Sequence, residues 1–139
     1  MTKPIIGILG GGQLGMMLST AAKKNGIRTH IYCPEENCPG SFTSDFFTKE
    51  NYDNKNAIRN FSEAVDFITY EFENIPIETI DFIEDNKKIR PGKKSLLLTQ
   101  DRLTEKEFLS KLNIPIAPYV SIEDANDIKE AHKKFNDCI

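Results

Sequence analysis

Residues 10–15 read Gly-Gly-Gly-Gln-Leu-Gly, set between the apolar run "PIIGIL" and a stretch of helical spacing. A glycine-packed turn that opens into a helix leaves backbone N–H groups uncovered at the positive end of the helix dipole, and both features favour an anion. A phosphate is the expected tenant. Gly10, Gly12 and Gly15 also satisfy G-x-G-x-x-G, the spacing of turns that bind dinucleotides, which makes an NAD-binding oxidoreductase fragment one reading. That reading further wants an acid at the end of the second strand for the ribose hydroxyls. Here the strand ends on Tyr32, Cys33 and Pro34, with Glu35 beyond the proline. A purely structural reading also stands, in which the glycines allow a strand and a helix to pack closely.

The second group is "TYEFENIP", where Glu71 and Glu73 leave the end of an apolar strand on the glycine loop's side of the sheet. A carboxylate at that edge can accept hydrogen bonds from sugar hydroxyls or amino groups. Which of the two faces the loop is open, and a pair of solvated strand-end acids is the alternative. The third is Arg102 in "QDRLTEKEFL". Its planar guanidinium suits phosphate oxygens, although pairing with Glu105 on a helix surface would also account for it. Cys33, Cys38 and Cys138 form an odd set without framework spacing, as for reduced thiols: a strand-end thiol and a loop thiol besides the tail. A zinc set of His30, Cys33 and Cys38 would lack a fourth ligand, so no metal ligands are assigned.

These groups need a scaffold, and the chain supplies alternating strands and helices. "PIIGILG" reads as a strand buried on both faces, and Leu14, Met17, Leu18, Ala21 and Ala22 recur at helical spacing up to Gly26. "IRTHIYC" is a second strand, which completes a βαβ unit. A short strand at "SDFFT", a short helix around Ala57, Ile58 and Phe61, a third apolar strand "AVDFITYEF" and a helix through "IETIDFIEDNKK" follow. The fold class is α/β, a Rossmann-like parallel sheet. After the breaker "RPGKK", "SLLLTQDRLTEKEFLSKL" is helical in two pieces meeting near Asp101, and "SIEDANDIKEAHKKFNDCI" is a capped amphipathic helix. The division is therefore 1–92, the sheet domain, and 93–139, a C-terminal helical linker and the start of a further domain. Apolar surface is expected around Leu96 to Leu98 and on the tail helix.

The 139 residues suit one core plus a tail. Eighteen basic residues scattered among 21 acidic ones give a net charge of −3 with no basic stripe, which argues against nucleic acid. No apolar run approaches a membrane span, and "MTKP" leads straight into a strand, so a cytoplasmic protein is expected.

"GILGGGQLGMML", "ITYEFENIP" and "IRPGKKSLLLTQDRLTEKEFLSKLNIPIAPY", in this order and spacing, resemble the N-terminal part of the N5-carboxyaminoimidazole ribonucleotide synthetases, ATP-grasp enzymes of de novo purine biosynthesis. The resemblance implies a pre-ATP-grasp domain. It also implies an ATP-dependent carbon–nitrogen ligase that carboxylates 5-aminoimidazole ribonucleotide with bicarbonate, using ATP and magnesium, in a homodimer. Carried over, Gly12, Gln13, Leu14, Glu73 and Glu71 become substrate contacts and Arg102 an ATP-phosphate ligand, and the loop holds a ribonucleotide instead of a dinucleotide. Met16 stands where the family usually has arginine. The family's glycine-rich lid, nucleotide-binding lysines and magnesium carboxylates are not found before Ile139. No catalytic residue is therefore assigned, and the chain alone is expected to be inactive and to bind no cofactor tightly. It would be a truncated product, a non-catalytic ribonucleotide-binding or assembly module, or one half of a split enzyme whose separate chain carries the missing domains.

Overall fold

The computed structural model describes residues 3–83 and 88–135. The elements run β1 (Ile5–Leu9), α1 (Gln13–Lys24), β2 (Arg28–Cys33), a 3-10 turn (Pro39–Phe42), β3 (Phe46–Lys49), α2 (Lys55–Glu63), β4 (Phe67–Tyr70), α3 (Ile77–Asp81), α4 (Lys93–Thr99), α5 (Arg102–Lys111) and α6 (Ala125–Phe135). By contacts they fall into two units, Met1–Gln100 and Asp101–Ile139.

In the first unit four parallel strands lie in the order β3-β2-β1-β4, as expected for an α/β Rossmann-like sheet. Successive side chains leave a strand on opposite faces, and here both faces are covered. Ile8, Ile31 and Cys33 form a core with Cys38 on one face, where α1 also packs: its buried Ser19 shares a 2.7 Å hydrogen bond with Thr29 of β2. Leu9, Tyr32 and Ile68 point the other way into a larger core with Ile58 and Phe61 of α2, Ile80 of α3 and Leu96 of α4.

Two packing expectations fail. The apolar stripe of α1 does not face the sheet: Leu14 is 56% exposed and Met17 61%, while Gly15 and Ser19 are buried. The reason is closeness of approach. A Cβ on Gly15 would lie 2.9 Å from the Gly10 carbonyl oxygen, so the helix rests on its smallest residues and carries its larger ones outward. Leu96 is fully buried instead of part of an exposed patch, because α4 folds back onto the sheet's core; Leu97 is the exposed neighbour. The helix expected through residue 88 is observed only over Ile77–Asp81, and residues 84–87 lie outside the described residues.

The second unit holds α5 and α6. The two helical pieces do meet at Asp101, whose side chain accepts the Thr104 N–H at 2.7 Å and caps α5. At α6, Asp124 Oδ1 accepts from the Asn126 and Asp127 amides while Asp127 Oδ2 accepts from the Glu123 and Asp124 amides, a reciprocal cap. Among the described residues no helix is long and apolar enough to cross a membrane.

Candidate functional site

The chain leaves β1 through α1 to β2 on one side and later places β4 on β1's other side, so the strand order reverses between β1 and β4. In open parallel sheets the crevice for ligands lies at the carboxyl ends of strands at such a point. The glycine loop follows β1 there and Glu71 follows β4, with the Glu71 N–H still paired to the Leu9 carbonyl at 3.1 Å.

The loop's amides have an acceptor within the chain. Gly12 N–H donates to Glu71 Oε1 at 2.6 Å and Gly15 N–H to Glu71 Oε2 at 2.5 Å. The anion at this helix N-terminus is thus a carboxylate of the protein itself, and the phosphate expected there would have to displace it. Each such charge-assisted bond is worth about 1.5–3 kcal/mol. Gly10 makes the geometry possible: its φ of +105° is left-handed, and a Cβ there would lie 2.4 Å from Glu71 Cγ. The loop is fixed further by Gly10 N–H to the Tyr32 carbonyl at 2.9 Å and Gly40 N–H to the Gly11 carbonyl at 2.8 Å.

A pocket of 220 Å³ opens beside this clamp, lined by Gly10, Gly11, Gly12, Cys33, Pro34, Glu35, Tyr52, Glu71 and Phe72. Its polar side chains, Glu35, Glu71 and Tyr52, chiefly accept hydrogen bonds or offer a neutral hydroxyl. Burial, reinforced by the Cys33 and Glu71 side chains nearby, holds the Tyr52 phenol far above its usual titration range, so it stays protonated. Tyr52 lies in the polar stretch between β3 and α2 and was not singled out from the sequence; an aromatic residue isolated in a polar loop was the available signal.

Of the expected site residues, Gly12 and Glu71 meet in this pocket. Gln13 and Leu14 occupy the first turn of α1 with exposed side chains, and Leu14 lines a separate apolar groove with Met17, Leu18, Ala21, Tyr70 and Glu71. Glu73 is half-buried in the turn after β4, so it is Glu71 that faces the loop. Met16 is half-buried. His30, weighed with Cys33 and Cys38 for zinc, packs its ring on Phe61 and shares a 2.8 Å hydrogen bond with Thr48, on the opposite face of β2 from Cys33. Among the described residues no three His, Cys, Asp or Glu side chains are grouped to hold a metal.

In the second unit, Arg102 opens α5 and its Nη1 donates to Glu105 Oε2 at 2.7 Å. A 350 Å³ pocket is lined by Asp101, Arg102, Leu103, Lys106, Tyr119, Val120, Ser121 and Ile122, with the Lys106 ammonium 5.5 Å from the Tyr119 ring centre. Two cations beside an aromatic ring fit an anionic nucleotide, and an exposed ion pair such as Arg102–Glu105 is weak enough to exchange for a phosphate.

The ribonucleotide synthetase preATP-grasp domain family matches residues 1–100. The bifunctional purine synthesis protein purC/E of Dictyostelium discoideum is 44% identical over 130 residues, 94% of this chain and 13% of that protein. The crystal structure of N5-carboxyaminoimidazole synthetase from Staphylococcus aureus complexed with ADP superposes with a TM-score of 0.81 at 36% identity, over 95% of this chain and 36% of that one. An N5-carboxyaminoimidazole synthase from Aspergillus clavatus, in complex with ADP and 5-aminoimidazole ribonucleotide, shares the fold with a TM-score of 0.77 at 23% identity, over 97% of this chain and 37% of that one. The chain thus spans little more than a third of the relatives solved and 13% of the bifunctional protein. With its parallel sheet, reversal point and glycine loop in place, the chain belongs to the ribonucleotide synthetase preATP-grasp family and corresponds to the N-terminal portion of N5-carboxyaminoimidazole ribonucleotide synthetases.

Proposed function

We propose that this chain is the substrate-side module of an ATP-dependent ligase that carboxylates 5-aminoimidazole ribonucleotide with bicarbonate, in de novo purine synthesis. The observation that carries the reading is the Glu71 clamp. Because the carboxylate fills the amides of Gly12 and Gly15, the pocket beside it presents acceptors, and an amine or ribose hydroxyl suits it better than a phosphate. The aminoimidazole and ribose end of the substrate therefore faces Gly12, Glu71 and Tyr52, while Gln13, Leu14 and Glu73, which do not line this pocket, would reach only parts of the substrate that extend beyond it.

Arg102, with Lys106 and Tyr119, would hold ATP, which when bound supplies the phosphoryl group that activates bicarbonate. Arg102 would orient and neutralise phosphate oxygens. The chain's own contribution is positioning. Clamped by two amides and packed against the loop, Glu71 presents a fixed acceptor edge that can orient an exocyclic amine, and Tyr52 offers a hydroxyl of constant protonation. Phosphoryl transfer is mostly a matter of placing cations on the terminal phosphates, and Arg102 and Lys106 are the cations this chain would bring to that task. A homodimer and a separate chain carrying the remaining domains belong to the same reading.

Calorimetry with 5-aminoimidazole ribonucleotide and with NAD tests the proposal. Binding of the ribonucleotide, weakened by Tyr52→Phe, is expected. Tight NAD binding abolished by Gly12→Val would overturn it in favour of a dinucleotide site.

A further inference from the structure

Cys33 closes β2 and Cys38 precedes the 3-10 turn, with the chain reversing between them. Both are buried, in the smaller core with Ile8 and Ile31. Their sulfurs converge on one point: a Cβ on Gly11 would sit 2.3 Å from Cys38 Sγ and 3.0 Å from Cys33 Sγ. Gly10 and Gly26 are the glycines with left-handed backbone, so Gly11 serves by leaving space. That space holds the two thiols side by side. Cys33 also lines the pocket next to the Glu71 clamp, which opens a path for a small reagent to a thiol otherwise in the core. The proposed function gives neither thiol a role.

We propose that Cys33 and Cys38 are a thiol-modification site on the pocket wall, a dithiol that a small disulfide such as glutathione disulfide closes into an intrachain disulfide. Cys33 attacks as thiolate and forms a mixed disulfide, releasing one glutathione thiol; Cys38 then attacks Cys33 Sγ and releases the second. Two S–H bonds are lost, one S–S bond forms, and the two protons and two electrons leave in the two glutathione thiols. Closure draws both sulfurs onto the face of Gly11 and so reaches the glycine loop, whose Gly11 carbonyl holds the Gly40 amide.

The reaction is slow at neutral pH. Burial pushes the Cys33 thiol up to about 11; the Glu35 N–H that donates to its sulfur opposes the rise, and the adjoining Cys38 thiol and the Glu35 charge add to it. The Glu35 and Glu71 carboxylates and the Tyr52 phenol face it at the pocket, and the Lys49 ammonium of the neighbouring strand is held by Glu36. Below that value the thiolate fraction rises tenfold per pH unit.

The test uses the full chain with Cys138→Ser, which removes the third thiol. After incubation with glutathione disulfide, peptide mapping is expected to find Cys33 joined to Cys38 and the chain lighter by two hydrogens, forming about tenfold faster per unit between pH 7 and pH 9. Cys33→Ser and Cys38→Ser should each lose the intrachain bond. Should either variant misfold, phenylarsine oxide on the unvaried pair gives an independent reading: one equivalent condenses with both thiols and one water leaves. The Gly10, Gly11 and Gly12 amide resonances should shift on oxidation. Uptake of two glutathiones, a fully reduced chain, or no arsenical adduct would overturn the dithiol; a bond that leaves the three glycine resonances in place would overturn its link to the loop. None of these readouts depends on ribonucleotide binding, so the site and the proposed function stand or fall separately.

Discussion

The sheet unit and the helical unit hold their helices by different means. In Met1–Gln100 each helix lies on a sheet whose two faces are both covered, and side chains such as Leu9, Tyr32, Ile58 and Leu96 have no accessible surface. In Asp101–Ile139, Ala131 is the one buried residue among those described, while Leu112 and Ile128 are each more than half exposed. The second unit's helices are instead defined at their ends, by the Asp101 cap and the Asp124–Asp127 reciprocal cap. Helices of this length are marginal on capping and propensity alone. The glycine-loop site is thus imposed by tertiary packing, whereas the Arg102 region is set by local signals and leaves apolar surface uncovered.

The comparison predicts unequal responses to mutation. The largest is expected for Gly10→Ala, which places a methyl group at a left-handed φ and against Glu71 Cγ; strain and overpacking together should cost about 4 kcal/mol. Urea unfolding followed by circular dichroism measures it, and a loss below about 1 kcal/mol would mean that the loop relaxes freely. Next, Leu9→Ala should cost about 3 kcal/mol, while Leu112→Ala, at a half-exposed position of the second unit, should stay within about 0.5 kcal/mol. Equal costs would break the contrast between the units.

Glu71→Gln sharpens the account of the clamp itself. The substitution keeps one acceptor but turns an NH2 group toward an amide N–H, so one charge-assisted bond is lost and one donor is left facing another. A cost of about 2 kcal/mol is expected, with the Gly12 and Gly15 amides exchanging faster with solvent. Unchanged exchange at both glycines would show that the carboxylate does not hold the loop.

Much of this was readable in the sequence, and the parts that were not share a cause. The βαβ unit around the glycine loop, the short β3 and the break at Asp101 follow from local signals: an apolar β-branched run, a glycine turn, an aspartate at a helix start. What local signals could not give was which surface each helix buries. Periodicity placed Leu14, Met17 and Leu18 on the core side of α1. The sheet accepts Gly15 and Ser19 instead, because the close approach is fixed by the Gly10 carbonyl and Glu71, residues from other elements. Leu96 shows the converse, a residue in a run expected at the surface that tertiary packing buries. The identity of the anion at the helix N-terminus was hidden for the same reason: the amides announce an anion, but only the fold reveals that Glu71, 59 residues from Gly12, supplies it.

An alkaline titration separates the units by chemistry. Burial pushes the Tyr32 phenol up to about 12 and the Cys33 thiol up to about 11, from usual values of 10.0 and 9.0. Groups with raised folded values lend their stability fully below the unfolded values and lose it as pH climbs to the folded ones. The sheet unit should therefore hold constant in these two terms below pH 9 and weaken between pH 9 and 12, and Cys33→Ala should remove the lower part of that decline. A decline of the same onset and steepness in Cys33→Ala would show that the thiol does not contribute.

The smallest effect is expected at the Asp101 cap. Its carboxyl is held below the usual 3.8 by the Thr104 N–H it accepts, so the cap's contribution is present above that pH and fades as the pH falls below it. At neutral pH, Asp101→Ala leaves the first-turn amide of α5 to water and should lower the helical ellipticity slightly. Asp101→Asn, an equally good cap without the charge, should restore most of it. If Asp101→Asn lowered the ellipticity as much as Asp101→Ala, the side-chain cap would not be what defines the start of α5, and the account of this unit as one set by local signals would fail.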